Sequence, residues 1–222
     1  MKYFCYMLLF SAITPAGVRA QSKLPIARFK SADSTRPLIF YISGDGGFNK
    51  FSTSFMQTLN NQGFAVIGLD AKSYFWSKKT PAETAHVVDS TIAATDKEWK
   101  KRSTVLIGYS FGADVAPFVY TRLSPAVKKS VSRVVLLSPS SKTDFEIHVL
   151  QMMGLGRSSG ENVAAEINKV TIPVTIVCGD DEKEFPFGDL KMANKQVIKI
   201  PGGHHYDGDV NGLTHSLLGQ LK

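Results

Sequence analysis

Three short stretches of this 222-residue sequence carry the side chains that nucleophilic catalysis requires. The first is Gly108-Tyr-Ser-Phe-Gly112, which follows a run of strand-forming residues. The second is the acidic turn Asp180-Asp-Glu182, and the third is the pair His204-His205. A serine hydroxyl is a poor nucleophile at neutral pH, so it needs an imidazole to take its proton and an acid to orient that imidazole. The order serine, acid, histidine predicts a serine esterase.

Ser110 is the predicted nucleophile. The G-x-S-x-G pattern around it lies between strand signals and helix-compatible residues, as a nucleophile elbow requires. With the serine in a strained backbone conformation, side chains at Gly108 and Gly112 would press against the neighbouring strand and helix. Hydrogen is therefore the substituent that both positions favour.

His204 is the predicted general base because it follows the Gly202-Gly203 turn at a strand end. His205 stays an alternative, since adjacent side chains in a loop cannot be ranked from sequence. His86 and His215 fall within predicted helices and are less suited to the task.

The acid of the triad is expected in the turn that follows another strand. Glu182 lies three residues beyond Gly179, which is the usual spacing after this strand, and it is the first choice. Asp181 is the second choice and Asp180 the third. The acid must fix the imidazole tautomer and stabilise its cationic form.

An oxyanion hole is predicted from the N–H of Phe111 and one N–H of Asp45 or Gly46, in a glycine-rich turn after the apolar run 37–43. The Asp45 carboxylate would repel an oxyanion, so its side chain should point away and bind a cationic group or orient the loop. This turn lacks the Lys-Ser/Thr of a P-loop, which argues against a nucleotide phosphate site.

Apolar runs alternate with amphipathic stretches, which predicts an α/β protein. We expect a mostly parallel, doubly wound sheet with helices on both faces, as in the α/β-hydrolase fold, and a site at the carboxyl ends of the strands. The segment 140–169 reads as an irregular insertion over the sheet edge. Other predicted strands are 26–29, 64–70, 133–138, 172–178 and 196–200, and the predicted helices are 51–62, 81–100, 111–122 and 210–221.

The first 20 residues read as a secretory signal peptide, with an apolar segment followed by Val18-Arg19-Ala20 and cleavage after Ala20. A single domain over 21–222 and a periplasmic location follow from that interpretation. Cys5 would leave with the signal. Cys178 then remains as a buried core thiol without a disulfide partner.

The formal net charge of +7 suits an anionic membrane surface or an acidic partner. Basic runs interleaved with aromatic residues are missing from the sequence, and so is the spacing of a zinc site, so nucleic-acid binding, a metal and a cofactor are not expected.

Several motifs together resemble the VirJ/AcvB family of bacterial virulence proteins over about residues 36–220. These motifs are Ser43-Gly-Asp-Gly-Gly-Phe48, Gly68-Leu-Asp70 with Tyr74-Phe-Trp76, Gly108-Tyr-Ser-Phe-Gly-Ala-Asp114, Asp144-Phe-Glu-Ile-His148 and Gly202-Gly-His-His-Tyr-Asp-Gly-Asp209. The resemblance implies an exported α/β-hydrolase that cleaves the aminoacyl ester of lysyl-phosphatidylglycerol, associated in some bacteria with type IV secretion. Phe185-Pro-Phe187 departs from the pattern, because the family often has a cysteine there.

A lysyl ester needs an acidic pocket for its ammonium groups, and four acids lie near the predicted site loops: Asp45, Asp114, Asp144 and Glu146. The lipid phosphate would favour a basic rim. The prediction is an esterase for an aminoacylated anionic phospholipid at the membrane surface. The alternatives are a general carboxylesterase or thioesterase, and a non-catalytic hydrolase-fold accessory protein of a type IV secretion system.

Overall fold

Strands and helices alternate along the chain in a computed structural model that describes residues 24–147, 160–183 and 185–221. The predicted signal peptide and His148 lie outside the described residues. The strands are β1 Ile26–Phe29, β2 Leu38–Ile42, β3 Ala65–Leu69, β4 Thr104–Tyr109, β5 Val131–Leu137, β6 Lys142–Thr143, β7 Glu161–Asn162, β8 Val174–Gly179 and β9 Lys195–Ile200. The helices are α1 Lys50–Asn61, α2 Ala71–Tyr74, α3 Pro81–Trp99, α4 Phe111–Arg122, α5 Pro125–Ser130, α6 Val163–Ile167 and α7 Val210–Leu217.

The main sheet has seven strands in the order β1-β3-β2-β4-β5-β8-β9. Strand β1 runs antiparallel to β3, and the other neighbours pair in parallel. The predicted mostly parallel sheet is therefore confirmed. The carboxyl ends of β2, β4, β5 and β8 meet at one edge, where the loops with the candidate side chains begin.

Helices cover both faces of this sheet, as predicted, and for that reason the inner strands β2, β3, β4 and β8 are buried at every residue. Every residue of β2 is buried. Phe40 points to a core shared with α3 and α4, whereas its neighbour Tyr41 points to the opposite core, shared with α1 and α7. Successive side chains of a strand alternate between faces, so a continuous apolar run fills two cores.

The segment expected to be an irregular insertion is more regular than predicted in its described part. Strands β6 and β7 form an antiparallel pair, with Lys142 opposite Asn162. Helix α6 follows and buries Val163 and Ile167 in the core shared with α4. A Cβ at Gly160 would come 1.8 Å from the carbonyl oxygen of Thr143, so this close crossing requires glycine.

Within the described residues, no helix combines the length and apolarity needed to cross a bilayer. Cys178 is a buried free thiol in β8, where burial raises its pKa to about 11. A thiol that stays protonated at neutral pH is a poor nucleophile.

Candidate active site

Ser110 occupies a sharp turn between β4 and α4, with φ 52° and ψ −121°. Its backbone N–H donates to the carbonyl oxygen of Leu137 at 2.8 Å, which fixes the turn to the end of β5. A Cβ at Gly108 would lie 2.2 Å from the Gly112 carbonyl oxygen, and a Cβ at Gly112 would lie 2.2 Å from that of Ile42. Both glycines are thus required by close backbone approach. The strained backbone of Ser110, between a strand and a helix, has the geometry of a nucleophile elbow.

A continuous line of hydrogen bonds connects Ser110, His204 and Glu182. The Ser110 Oγ lies 2.8 Å from His204 Nε2, and His204 Nδ1 lies 2.7 Å from Glu182 Oε1. An ionised carboxylate only accepts hydrogen bonds, so Nδ1 carries the proton and Nε2 is free to accept from the serine hydroxyl. The hydrogen bond that Glu182 accepts from His204 raises the pKa of His204, against the effect of burial.

The neighbouring candidates lie outside this line of hydrogen bonds. The His205 Nδ1 is hydrogen-bonded to the hydroxyl of Tyr109. Asp180 and Asp181 are exposed, and their backbone N–H groups donate to the carbonyl oxygens of Ile200 and Gly202. Of the alternatives that the sequence left open, the geometry therefore selects His204 and Glu182.

Several donors hold the Glu182 carboxylate in place. The Gly179 N–H and the Ser138 hydroxyl each donate to its Oε2 at 2.7 Å. Burial raises the pKa of Glu182, but the hydrogen bonds from His204, Ser138 and Gly179 outweigh burial and hold it below its ordinary value. The carboxyl is therefore ionised at neutral pH, as an acid that stabilises an imidazolium must be.

Ser138 and Tyr206 support this acid, and the sequence analysis missed both. Each is 1% exposed, and each has a positive φ. The two hydroxyl oxygens lie 2.7 Å apart. Tyr206 Oη also lies 3.2 Å from the Val177 carbonyl oxygen, which can only accept. Each hydroxyl has one proton, so when Ser138 donates to the ionised Glu182, the Tyr206 proton is shared between Ser138 Oγ and that carbonyl oxygen. The available signal was the position of Ser138 at the carboxyl end of β5, beside the strand that leads to the acidic turn.

The turn predicted to supply the second oxyanion donor lies beside the nucleophile. A Cβ at Gly44 would come 3.3 Å from the Ser110 Cβ, so the turn after β2 borders the elbow. Phe111 is the first residue of α4, and the first-turn N–H groups of a helix have no acceptor within the helix. The role of the Asp45 or Gly46 N–H stays a prediction.

Two of the four acids predicted to bind substrate lie next to the triad. Asp45 is half-buried, and its charge helps to raise the pKa of His204. Asp114 is 5% exposed, and its two oxygens accept from the Ser140 N–H at 2.6 Å and the Ser140 hydroxyl at 2.7 Å. Burial raises its pKa to about 7. The structure thus corrects the expectation for Asp114, because a buried carboxyl held by a neighbouring loop is not open to an ammonium group.

The other two acids, Asp144 and Glu146, follow β6. Asp144 lines a depression together with Lys78, Lys79 and Glu161, and both Asp144 and Glu146 interact with other groups of the protein. Neither borders the cavity beside His204. The structure therefore does not bring the four acids together in one pocket.

The cavity beside the triad has a volume of about 500 Å³ and a mixed lining. The rings of Phe185 and Phe187 meet edge to face with centroids 5.0 Å apart, and Lys199 Nζ lies 5.2 Å from the Phe187 ring centroid. Such a cavity can hold the alcohol or the acyl part of an ester. The described residues contain no group of three or more His, Cys, Asp or Glu side chains that could hold a metal ion. The full lining is Pro139, Ser140, Cys178, Asp181, Glu182, Lys183, Phe185, Phe187, Gly203 and His204.

Comparison with solved structures shows the fold. The esterase Est1E from Butyrivibrio proteoclasticus is 17% identical with a TM-score of 0.58, over 88% of this chain and 92% of that one. The esterase Pf2001 from Pyrococcus furiosus is 13% identical with a TM-score of 0.62, over 90% and 89%. A monoacylglycerol lipase from Paleococcus ferrophilus is 16% identical with a TM-score of 0.58, over 89% and 99%. The α/β-hydrolase fold is confirmed.

Comparison with sequence families shows the relationship that the motifs predicted. A search of curated proteins found no match. A family model described as "Bacterial virulence protein (VirJ)" matches residues 37–222, which is most of the chain. The chain therefore belongs to the VirJ family.

Proposed function

We propose that this protein is a serine ester hydrolase with Ser110 as nucleophile, His204 as general base and acid, and Glu182 as the acid of the triad. One observation carries the proposal: hydrogen bonds of 2.8 Å and 2.7 Å join the three side chains in the direction that catalysis requires. The strained elbow presents the serine at the N-terminus of α4.

Each of these three side chains would act in a defined step of ester hydrolysis. The His204 Nε2 accepts the Ser110 proton as Oγ attacks the ester carbonyl carbon, and the negative charge that develops on the carbonyl oxygen lies near the Phe111 N–H. The imidazolium is stabilised by the ionised Glu182 and then protonates the departing alcohol. Water, deprotonated by His204, then attacks the acyl carbon. The bond between that carbon and Ser110 Oγ breaks, the imidazolium returns the proton to Oγ, and the acid is released.

For the substrate, we propose the aminoacyl ester of an anionic phospholipid such as lysyl-phosphatidylglycerol. Membership of the VirJ family supports this choice, because the resemblance implies that activity. The half-buried Asp45 supports it physically, since a carboxylate beside the reacting centre attracts the ammonium group of an aminoacyl ester. Export to the periplasm and an association with type IV secretion belong to the same proposal.

A general carboxylesterase or thioesterase is the second candidate function. The two phenylalanines in the cavity beside His204 favour it, because an uncharged acyl group would be buried there at low cost. A protein without chemistry would not need an activated Ser110, so reaction of that serine separates both enzymes from a non-catalytic accessory protein.

The substrate is tested by comparing lysyl-phosphatidylglycerol with a neutral short-chain ester. Asp45→Asn should lower kcat/KM about ten- to a hundred-fold for the lysyl ester and hardly at all for the neutral ester, because one charge-assisted hydrogen bond is lost. Asp189→Asn is the control, since Asp189 is an exposed acid that does not line the cavity beside the triad. Equal losses on both substrates in Asp45→Asn, or a wild-type preference for the neutral ester, would replace this proposal with the general esterase.

A further inference from the structure

Trp76 is the most exposed large apolar side chain in the described part of the protein, with 59% of its surface accessible. It lies in the loop between α2 and α3, and Lys78 and Lys79 follow it after Ser77. The sequence has no acidic residue between Asp70 and Glu83. We call Trp76, Lys78 and Lys79 the Trp76 patch.

The loop is held firmly although its tryptophan is exposed. The adjacent Phe75 is fully buried, and its ring centroid lies 5.0 Å from that of Phe111. The Lys79 N–H donates to the Phe145 carbonyl oxygen and the Ile147 N–H donates to that of Phe75, both at 3.0 Å. The patch is therefore fixed to the residue that follows the nucleophile, at the same edge of the sheet.

We propose that the Trp76 patch docks the protein onto the surface of an anionic phospholipid bilayer. Tryptophan favours the interface between headgroups and hydrocarbon, because its ring is apolar and its N–H is polar. Lysines next to it are attracted to anionic headgroups. The choice of a lipid as the docking partner rests on the proposed function. Docking through the patch would bring the edge of the sheet that carries Ser110 to the lipid headgroups.

The charge of the patch is partly offset. Asp144 and Glu161 line the same depression as the two lysines. Electrostatic attraction alone would therefore be modest, and insertion of the tryptophan ring must contribute the larger part. Removing the ring should then weaken docking more than removing either charge.

Binding to vesicles tests the proposal without turnover if all proteins carry Ser110→Ala. We expect sedimentation with vesicles of equal parts phosphatidylcholine and phosphatidylglycerol, and much weaker binding to phosphatidylcholine alone. Adding Trp76→Ala should lower the partition coefficient at least tenfold. Adding Lys78→Gln and Lys79→Gln together should lower it at least about five-fold, the equivalent of one basic residue near the surface.

Two controls match these changes. Val197→Ser removes the exposed apolar side chain of β9, and Lys97→Gln with Lys191→Gln removes two exposed charges elsewhere; both should bind like the parent. Absence of parent binding to the anionic vesicles, or unchanged binding in Trp76→Ala, overturns the proposal and favours a protein partner for the loop. Hydrolysis of a soluble ester by the Ser110 enzyme is measured separately, so loss of docking and loss of the proposed chemistry are distinguishable.

Discussion

Two carboxyl groups near Ser110 both accept hydrogen bonds from a serine, yet their pKa values are shifted in opposite directions. Glu182 lies in the turn after β8 and accepts from Ser138, whereas Asp114 lies in the first turns of α4 and accepts from Ser140. Yet the pKa of Glu182 lies below its ordinary value and that of Asp114 rises to about 7.

The difference arises from the balance of donors and burial. Donors from three residues surround the Glu182 side chain, which is 19% exposed, and one of them is an imidazole that becomes cationic. One residue supplies both donors to Asp114, which is more deeply buried. Hydrogen bonds therefore determine the charge of the first acid and desolvation that of the second. Only the first is suited to stabilise an imidazolium.

The largest expected effect is the difference in kcat between variants of the two acids. Glu182→Gln should lower kcat for a soluble ester by about a thousand- to ten-thousand-fold, because the amide cannot stabilise the imidazolium or enforce its tautomer. Asp114→Asn should cost less than about tenfold, because asparagine can keep both bonds to Ser140. Equal losses in the two variants would break the comparison.

A smaller effect on kcat is expected from the two hydroxyl residues beside Glu182, Ser138 and Tyr206. Ser138→Ala should lower kcat about tenfold with little change in KM, since it removes one donor of about 1–3 kcal/mol from a carboxylate that touches no substrate. Tyr206→Phe should lower kcat less, because its hydroxyl acts through Ser138. A loss in KM alone would show that Ser138 has a different role.

The pH dependence of activity should also distinguish Glu182 from Asp114. His204 must be neutral to accept the serine proton, so activity is lost as pH falls through its pKa. Glu182 raises that pKa above 6.5, and the acidic limb of kcat/KM should lie correspondingly higher. Glu182→Gln should move the midpoint down in its residual activity, and Asp114→Asn should move it much less. A midpoint that is the same in wild type and Glu182→Gln would contradict the assignment of Glu182 as the partner of His204.

The dependence of stability on pH should have opposite signs for the two acids. The folded-state pKa of Asp114 is raised from 3.8 to about 7, so the folded protein binds the proton more tightly and stability falls as pH rises between these values. Asp114→Asn removes this decline. For Glu182 the lowered pKa contributes stability above about 4.5, and it is lost as pH falls through the folded value. Melting temperatures of both variants relative to wild type, measured against pH, test the two signs.

The fold could be predicted from sequence because the inner strands β2, β3, β4 and β8 are buried on both faces. An apolar run such as β2 cannot fill two cores unless helices cover the sheet on both sides. The β6–β7 pair was missed because strands of two residues show no periodicity. Only Gly160 marked the crossing, and a single glycine does not distinguish a tight pair from an irregular loop.

The site was predictable where side chains follow directly from strand ends, as with Ser110 and His204. Glu182 and His204 were both first choices from sequence, but adjacent residues of one turn point in different directions. Setting aside Asp181 and His205 therefore needed coordinates. Ser138 lies 44 positions from Glu182 in sequence, and only the pairing of β5 with β8 brings them together. The burial that excludes Asp114 from binding substrate is likewise a property of tertiary packing.

The most direct test of the central claim is mass spectrometry of the protein after reaction with a fluorophosphonate, which phosphonylates activated serines. We expect one adduct on the peptide containing Ser110, formed in wild type and lost in both Ser110→Ala and His204→Ala, whereas His205→Ala should retain it. A wild-type protein that remains unmodified, or one modified at another serine, would contradict the proposed triad.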